Sequence, residues 1–193
     1  MLYLYFQKLI EMSNVKKYTD QQILDQVKTL KGFKHFPSNF WIVGIRSNED
    51  ANDVYDDKFY FFKGIEFIAV TSGTTNKGNK GTAVMLEGIY YDSYSYGLHR
   101  GKMPSLKQVK GITYKRDFTN DLKTNPTTEV FTNIIGMNIH SCSYDITLNV
   151  VKKNIGGWSE GCQVMNDIKF YAETFIPMIK KNGFTTYVLL DEF

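Results

Sequence analysis

The sequence predicts a single α+β, β-rich domain with a mixed, sandwich-like sheet core, one helix near the N-terminus and one near the C-terminus. Aromatic residues make up 15% of the 193 residues, and aromatic side chains suit the half-buried surface of a pleated sheet. Short apolar runs separated by turn residues recur along the chain, which is typical of strands. Apolar residues at helical spacing occur in one segment toward each end. We therefore expect strands to outnumber helices.

The first helix is predicted at Asp20–Lys31. Thr19–Gln22 is a capping-box pattern, in which a threonine and a glutamine satisfy each other's backbone N–H groups. Apolar residues then recur at helical spacing until Gly32, a residue type common just beyond helix ends. The second helix is predicted at Ile168–Lys181, where Pro177 lacks a backbone N–H and should kink or loosen the helix.

Strands are predicted at short apolar or alternating runs bounded by turn residues. They are Phe40–Ile45, Lys58–Phe62, Ile65–Thr71, Thr82–Leu86, Ile112–Arg116, Ile134–His140 and Thr186–Leu190. Between them, Gly73–Gly81 is predicted to be a flexible loop that lacks the ending of a phosphate-binding loop, and Tyr96–Lys102 a compact polar turn. The acidic stretch Glu49–Asp57 lacks the spacing of a calcium-binding EF-hand, so we expect a solvated loop there.

We assign residues 13–193 to one domain, because no linker, repeat or low-complexity tract divides them. Residues 1–12 are set aside as an expression-tag remnant or a disordered N-terminus. Within them, Leu4–Gln7 is similar to part of a protease recognition site, and Met12 is an alternative start. The N-terminus also lacks the basic start, apolar core and cleavage site of a signal peptide. No apolar stretch reaches the roughly 20 residues that a membrane helix needs.

Charge does not point to a particular class of partner. The net charge of +3 is mild, lysines and acids are interspersed, and no nucleic-acid-binding motif is present. We therefore expect no nucleic-acid partner. The sequence does not indicate the oligomeric state.

The candidate chemistry lies in Ser159–Cys162 and in His140. A glycine before a cysteine lets the chain turn sharply and lets a substrate carbonyl approach backbone N–H groups. The N–H groups of Gly161 and Cys162 are therefore candidate oxyanion donors, each worth roughly 3 kcal/mol in comparable enzymes. An imidazole beside a thiol lowers the thiol pKa from its usual value of about 8.5. We therefore expect His140 to be the base and to form a thiolate–imidazolium pair with Cys162.

The two cysteines allow other arrangements. A disulfide between Cys142 and Cys162 is one, although a reactive Cys162 with Cys142 as a small buried hydrophobe fits the surrounding sequence better. A zinc site of His140, Cys142 and Cys162, with His99 as the fourth ligand, is another. Its spacing matches no compact zinc pattern. His35 is isolated in the sequence, and we expect it to be structural.

The stretch Gly136–Met165 resembles the catalytic signature of the L,D-transpeptidase (YkuD-like) family. That signature is a strand ending in His, a loop, then Ser or Thr, a variable residue, Gly and Cys. The 22 positions that separate His140 and Cys162 suit the family's loop, and histidine before cysteine argues against papain-like peptidases. A weaker likeness extends over residues 65–190, whereas residues 13–64 lie outside it.

The resemblance implies a cysteine-dependent acyl transfer on peptidoglycan stem peptides. Cys162 would attack the L-centred carbonyl after activation by His140, and the terminal D-amino acid would leave. Ser159 and Gly161 complete the set of catalytic residues. The thioester would then pass to an amine, as in a transpeptidase, or to water, as in a carboxypeptidase, and the sequence leaves these two outcomes open. No metal or organic cofactor is implied.

The sequence departs from the family pattern at three positions. Gln163 stands where Arg or Asn usually follows the cysteine, Glu160 replaces a common His, and Ser141 replaces a Gly. The nucleophile and the base are left intact, but a cation that would hold a substrate carboxylate is missing. Arg100 or Arg116 could supply it. The candidate substrate-binding residues are therefore His99, Arg100, Arg116 and Trp158.

These departures also support an alternative function, that of a non-catalytic structural or cell-wall-binding module that keeps the fold. The lack of an export signal favours a protein that reaches the cell wall by another route. Release at lysis of a phage-encoded protein, or delivery as an effector, would be such routes.

Overall fold

The computed structural model describes residues 16–48, 53–76, 81–118, 129–156 and 158–193. The expectation for residues 1–12 lies outside the described residues, as do parts of the expectations for the acidic stretch and the Gly73–Gly81 loop. None of the helices in the described ranges is both long enough and apolar enough to cross a membrane.

The described residues form one N-terminal helix, then ten consecutive strands, then a group of short helical segments and a last strand. The strands are β1 (Phe40–Arg46), β2 (Asp57–Lys63), β3 (Glu66–Thr74), β4 (Thr82–Met85), β5 (Gly88–His99), β6 (Met103–Gln108), β7 (Ile112–Asp117), β8 (Phe131–Asn133), β9 (Ile139–Ser141), β10 (Gln163–Met165) and β11 (Phe184–Asp191). The helices are α1 (Asp20–Thr29), α2 (Ile168–Phe170), a π-helical turn (Tyr171–Phe175) and α3 (Ile176–Lys180). The predicted β-rich α+β class is confirmed.

The main sheet is mixed and closes on itself. Its strand order is β1-β11-β5-β6-β9-β10-β3-β2, and β4, β7 and β8 form a second, three-stranded sheet. Closure follows from the pairing of β1, which is antiparallel to β2 and parallel to β11, so that the first and last strands of the chain lie side by side. The sheet is therefore a barrel, and not the sandwich-like arrangement that the sequence led us to expect. Local patterns do not specify such a long-range pairing.

Helix α1 begins at the predicted capping box. Thr19 Oγ1 accepts a hydrogen bond from the backbone N–H of Gln22 at 3.3 Å, and Gln22 Oε1 accepts one from the backbone N–H of Thr19 at 2.8 Å. The helix ends at Thr29, two residues earlier than predicted, because Leu30 already has an extended backbone. Its apolar face packs against the main sheet.

Strand β1 is buried along its whole length because both of its faces are covered. Phe40 and Ile42 belong to an apolar cluster that also contains side chains of α2, the π-helical turn and α3. Trp41, Val43 and Ile45 belong to a second cluster, which contains the buried side chains of α1. Burial on two faces explains why this strand appears in the sequence as a continuous apolar run.

The C-terminal helix is loosened near Pro177, as the sequence predicts. The N–H of Ile176 bonds to the carbonyl of Tyr171, five residues back, and so forms a π-helical turn. Pro177 has no N–H to donate to the Glu173 carbonyl, four residues earlier, and the proline ring crowds that same carbonyl. The wider turn lies directly before the proline in the chain.

Three expectations about local structure were wrong. Tyr96–His99 is the end of strand β5, and only the short connection around Arg100 and Gly101, whose φ angles are +50° and +70°, turns the chain. Ile134–Asn138 is not a strand, because Gly136 interrupts it with a φ of +77°. His140 therefore lies in the middle of the three-residue strand β9, and not at the end of a long one.

The end of the acidic stretch is buried instead of solvated. Asp56 and Asp57 expose only 2% and 1% of their surface. The Asp57 carboxylate accepts the backbone N–H groups of Ser47 at 2.7 Å and Thr75 at 2.5 Å. Burial raises the pKa of Asp57, and these hydrogen bonds oppose that rise. The carboxylate ties the loop after β1 to the loop after β3.

Replacing Gly44 with alanine is expected to destabilise the protein by about 2–3 kcal/mol, the usual cost of overpacking a core. An added Cβ would lie 2.1 Å from the Tyr187 hydroxyl oxygen in the packed core. The matched control is Gly88→Ala in β5, where the nearest atom to an added Cβ is 3.5 Å away and a change within about 1 kcal/mol is expected. Urea unfolding measures both variants, and equal stabilities would contradict the prediction.

Candidate active site

The parallel pairing of β9 and β10 brings the predicted base and nucleophile together. In this register Gln163 pairs with Ile139 and Val164 with His140, so Cys162 lies just before the paired segment, close to Asn138. One ring nitrogen of His140, one of His99 and Cys162 Sγ all lie within 4.8 Å of one another. Adjacent parallel strands require a long crossover, which accounts for the 22 positions between histidine and cysteine.

His140 is fully buried, and only one of its two ring nitrogens has a hydrogen-bond partner among the described residues. Its Nδ1 lies 2.8 Å from the backbone oxygen of Ser141, which can only accept, so Nδ1 carries the ring proton. Its Nε2 is buried and has no hydrogen-bond partner among the residues that the structure describes. Burial, with a smaller contribution from His99, lowers the pKa of His140 to about 3. The imidazole is therefore neutral near pH 7, with an available lone pair on Nε2.

Cys162 is partly exposed, and its thiol donates a long hydrogen bond to the Gly136 carbonyl, with an S···O distance of 3.6 Å. Burial raises the pKa of the Cys162 thiol, while the N–H of Asn138 and the charge of Arg100 work in the opposite direction. A raised thiol pKa beside an imidazole of lowered pKa does not favour the ion pair that we expected. The site instead holds a neutral thiol next to a neutral imidazole, because burial penalises both charged forms.

The turn before Cys162 requires glycine. Gly161 has a φ of +123°, and a Cβ added there would lie 2.5 Å from the Ala83 carbonyl oxygen. The Ser159 hydroxyl holds this turn, because it accepts the N–H of Gly161 at 3.1 Å and donates to the carbonyl of Cys162 at 2.8 Å. The N–H of Gly161 is thus already engaged, which differs from its expected role as an oxyanion donor. The N–H of Cys162 has no acceptor in the described part of the chain.

A cleft of ≈ 630 Å³ opens beside the thiol. Seven of the eight site residues predicted from the sequence line it, and His140 lies just behind the wall, next to His99. The lining residues are Gly81, Thr82, Ala83, His99, Arg100, Arg116, Ile135, Gly136, Met137, Asn138, Trp158, Ser159, Glu160, Gly161 and Cys162. The structure therefore brings together residues that are distant in the sequence.

Two arginines give the cleft a positive side. Arg100 follows β5, and its charge acts to lower the pKa values of His99 and Cys162. Arg116 lies on β7, donates to the Gly81 carbonyl at 3.0 Å, and covers a tyrosine ring. Trp158 is half-buried at the rim, where its ring packs against Tyr144 at a centroid distance of 5.0 Å. Both arginines line the cleft, and so does the acidic Glu160, whose charge acts to raise the pKa of Cys162.

Gln163 is a positioning residue that sequence reasoning missed. Its side chain is fully buried and donates to the carbonyls of Gly161 at 3.3 Å and Thr75 at 3.2 Å. Its Oε1 accepts the Tyr187 hydroxyl at 2.9 Å, which connects the cysteine turn to strand β11 across the core. The sequence shows a polar residue directly after Cys162, but the family pattern draws attention only to the cation that is missing at this position.

Asn138 is a second residue that was missed. Its Oδ1 accepts the backbone N–H of Gln108 at 3.0 Å, and its Nδ2 lies 3.0 Å from Nδ1 of His99. The sequence carries one weak signal for it, since a residue two positions before His140 points to the same side of an extended chain.

Cys142 and His35 do not belong to the site. The two cysteines are not bonded to each other. Cys142 is fully buried in an apolar cluster, its thiol donates to the Asn166 carbonyl at 3.4 Å, and burial raises its pKa to about 11. His35 is exposed, and its ring bonds to the backbone of Phe36. These positions agree with the expected roles of a small buried hydrophobe and a structural histidine.

The zinc alternative loses one of its four ligands because Cys142 lies outside the cleft. His99, His140 and Cys162 remain as three groups that could hold a metal ion. However, Asn138 donates to His99 Nδ1, so a metal ligand at this ring would require breaking that hydrogen bond or removing the proton from Nε2. The donor set therefore fits a metal poorly. Compared with known proteins, the chain matches no family model and no curated sequence.

Proposed function

We propose that this protein is a cysteine acyltransferase of the L,D-transpeptidase kind that acts on peptidoglycan stem peptides. One observation carries the proposal: a buried imidazole with an unpartnered Nε2 lies beside a thiol that opens onto a cleft. Buried polar atoms without partners are rare and need an explanation. The unpartnered Nε2 of His140 is explained if this atom is the base that accepts the thiol proton of Cys162. The finer fold that we propose is the L,D-transpeptidase type.

In the first half-reaction, His140 Nε2 takes the proton of the Cys162 thiol as the sulfur attacks the substrate carbonyl carbon. The new S–C bond forms while the C=O electron pair moves to oxygen, and the N–H of Cys162 stabilises the resulting oxyanion. When the oxyanion collapses, the C–N bond breaks and the amine of the terminal D-amino acid takes the proton from His140. The product is a thioester on Cys162.

The second half-reaction reverses these roles. An amine or a water molecule enters the cleft, gives a proton to His140 Nε2 and attacks the thioester carbonyl. When the tetrahedral intermediate collapses, the C–S bond breaks and the Cys162 sulfur takes the proton back from His140, which restores the free thiol. An amine yields a cross-link, and water yields a trimmed peptide. Because neither partner is charged at rest, the base removes the thiol proton during attack and the pair does not exist as a preformed thiolate.

The cleft suits an anionic peptide. Stem peptides carry carboxylates, including one on the terminal residue that leaves. Arg100 and Arg116 lie on the cleft wall and can bind such groups through charge-assisted hydrogen bonds, while Trp158 offers a flat apolar surface at the rim. In this proposal, Arg100 or Arg116 takes the place of the Arg or Asn that usually follows the family's cysteine. We propose that the protein reaches the wall by release at lysis or by another export route.

Incubation of the protein with muropeptides, followed by mass spectrometry, tests the proposal. The wild type should form an adduct at residue 162 and alter stem peptides, whereas Cys162→Ala should do neither, and His140→Ala should be slower by about 10²–10⁴-fold. Cys142→Ala is the matched control and should retain activity. Binding of muropeptides without adduct or product would instead indicate a non-catalytic cell-wall-binding module and would refute the enzyme.

A further inference from the structure

The oxyanion formed during acyl transfer has only one identified backbone donor. The N–H of Gly161 is used by Ser159, which leaves the N–H of Cys162. Oxyanions in acyl-transfer enzymes are usually held by more than one donor, and loss of one costs roughly 10²–10³-fold in rate. A second donor should therefore face the cleft near the sulfur.

The hydrogen bonds around His99 determine which of its ring nitrogens carries the proton. The backbone N–H of Gln108 can only donate, so the Asn138 atom that it meets at 3.0 Å must be the carbonyl oxygen. The other end of that amide is then the NH₂ group, and it faces His99 Nδ1 at 3.0 Å. Since NH₂ only donates, Nδ1 must accept, and the proton of the neutral ring lies on Nε2.

His99 is placed to use that proton at the reacting carbonyl. The residue lines the cleft, and its ring stacks on the His140 ring at a centroid distance of 4.1 Å. Nε2 has no acceptor in the ranges that the structure describes, and it is not among the fully buried atoms without partners. Burial and the charge of Arg100 lower the pKa of His99, which keeps the ring neutral at neutral pH. A neutral imidazole can serve as an electrophilic donor.

We infer that His99 is a catalytic residue whose Nε2–H donates a hydrogen bond to the oxyanion, together with the N–H of Cys162. His140 and His99 then divide the chemistry. His140 Nε2 receives the thiol proton and passes it to the leaving amine, while His99 keeps its proton and stabilises negative charge on oxygen. Asn138 selects the correct tautomer of His99. The inference rests on the proposed acyl chemistry but not on the identity of the acyl donor.

The experiment compares two reactions of Cys162 in the full chain. Stopped-flow acylation by p-nitrophenyl acetate forms an oxyanion, whereas alkylation by iodoacetamide displaces iodide and forms none. His99→Phe keeps a ring against His140 but has no donor, and should acylate about 10²-fold more slowly with an alkylation rate within about threefold of wild type. His99→Gln places an amide N–H near the position of Nε2 and should recover at least about tenfold of the loss.

The outcomes separate this inference from the proposed function. Loss of acylation and alkylation together in His99→Phe would show that His99 only maintains the structure, and would overturn the inference. Equal acylation by His99→Phe and wild type would overturn it as well. Because p-nitrophenyl acetate reports on the thiol directly, a selective loss of acylation would support the donor role even if muropeptides proved not to be substrates.

A second measurement does not depend on any variant. Nitrogen-15 NMR of histidine-labelled wild-type protein distinguishes a protonated from an unprotonated ring nitrogen. At pH 7 the His99 ring should show a protonated Nε2 and an unprotonated Nδ1, and His140 should show the opposite pattern. A proton on Nδ1 of His99 would contradict the inference, because the ring would then present an acceptor to the oxyanion.

Discussion

Gly161→Ala is expected to reduce acyl transfer by at least about 10²-fold and to destabilise the protein by about 3 kcal/mol. A φ of +123° lies beyond the left-handed helical region that other residues occasionally occupy, and an alanine Cβ would lie 2.5 Å from the Ala83 carbonyl oxygen. The backbone must move to relieve this overlap, and the next residue is Cys162, the nucleophile that we propose. A displacement of about 1 Å at a reacting atom is enough for a 10²-fold loss.

Gly156→Ala is the matched control for this prediction, because it changes a glycine of the same crossover segment. Gly156 has a φ of +60°, and no atom lies within 4 Å of an added Cβ, so only the conformational cost of about 1 kcal/mol remains. The activity of Gly156→Ala should stay close to that of the wild type. Rates of p-nitrophenyl acetate acylation and urea unfolding measure both variants. Full activity in Gly161→Ala would show that the turn tolerates a side chain.

The buried His140 is expected to make the fold sensitive to acid. Its pKa is about 3 in the folded protein and about 6.5 in the unfolded chain. Because the folded pKa is the lower one, the stabilisation is fully present above pH 6.5 and is lost as the pH falls toward 3. Between pH 7 and pH 4.5 the unfolded state binds a proton that the folded state does not, which lowers the free energy of unfolding by about 3 kcal/mol.

His140→Leu tests this contribution, since leucine has a similar size and does not titrate. The fall in unfolding free energy between pH 7 and pH 4.5 should be smaller in this variant than in the wild type by about 3 kcal/mol. Exposed His35→Leu controls for the loss of a histidine as such and should follow the wild-type curve. Urea titrations at the two pH values provide the measurement. Parallel curves for wild type and His140→Leu would mean that His140 is charged or solvated in the folded protein.

Short-range patterns predicted a large part of the fold. The capping box at Thr19 located the start of α1, and the continuous apolar run of β1 matched a strand covered on both faces. The strand β5 was missed, because its aromatic residues alternate with serine, glycine and aspartate in a pattern that resembles turns. The strand β10 has only three residues, which is too short for any periodicity to be seen.

The candidate site was also partly predictable from short-range sequence patterns. The sequence shows directly that a glycine precedes Cys162 and that His140 lies upstream of it. The family resemblance rests on these residues, and it pointed to Cys162 and His140 as the candidate pair. The roles of Gln163 and Asn138 were not visible, since each acts through hydrogen bonds to strands far away in the sequence. The engagement of the Gly161 N–H by Ser159 is a local contact, and a serine two residues earlier could have suggested it.

The chemical groups, their order along the chain and the local conformations that neighbouring residues impose can all be read from the sequence. Three properties depend on the folded chain: the sheet closes as a barrel, Arg100 and Arg116 share one cleft, and burial disfavours the charged forms of both thiol and imidazole. One cause accounts for all three. Strand pairing and the desolvation of a titratable group depend on which distant parts of the chain come to lie beside it.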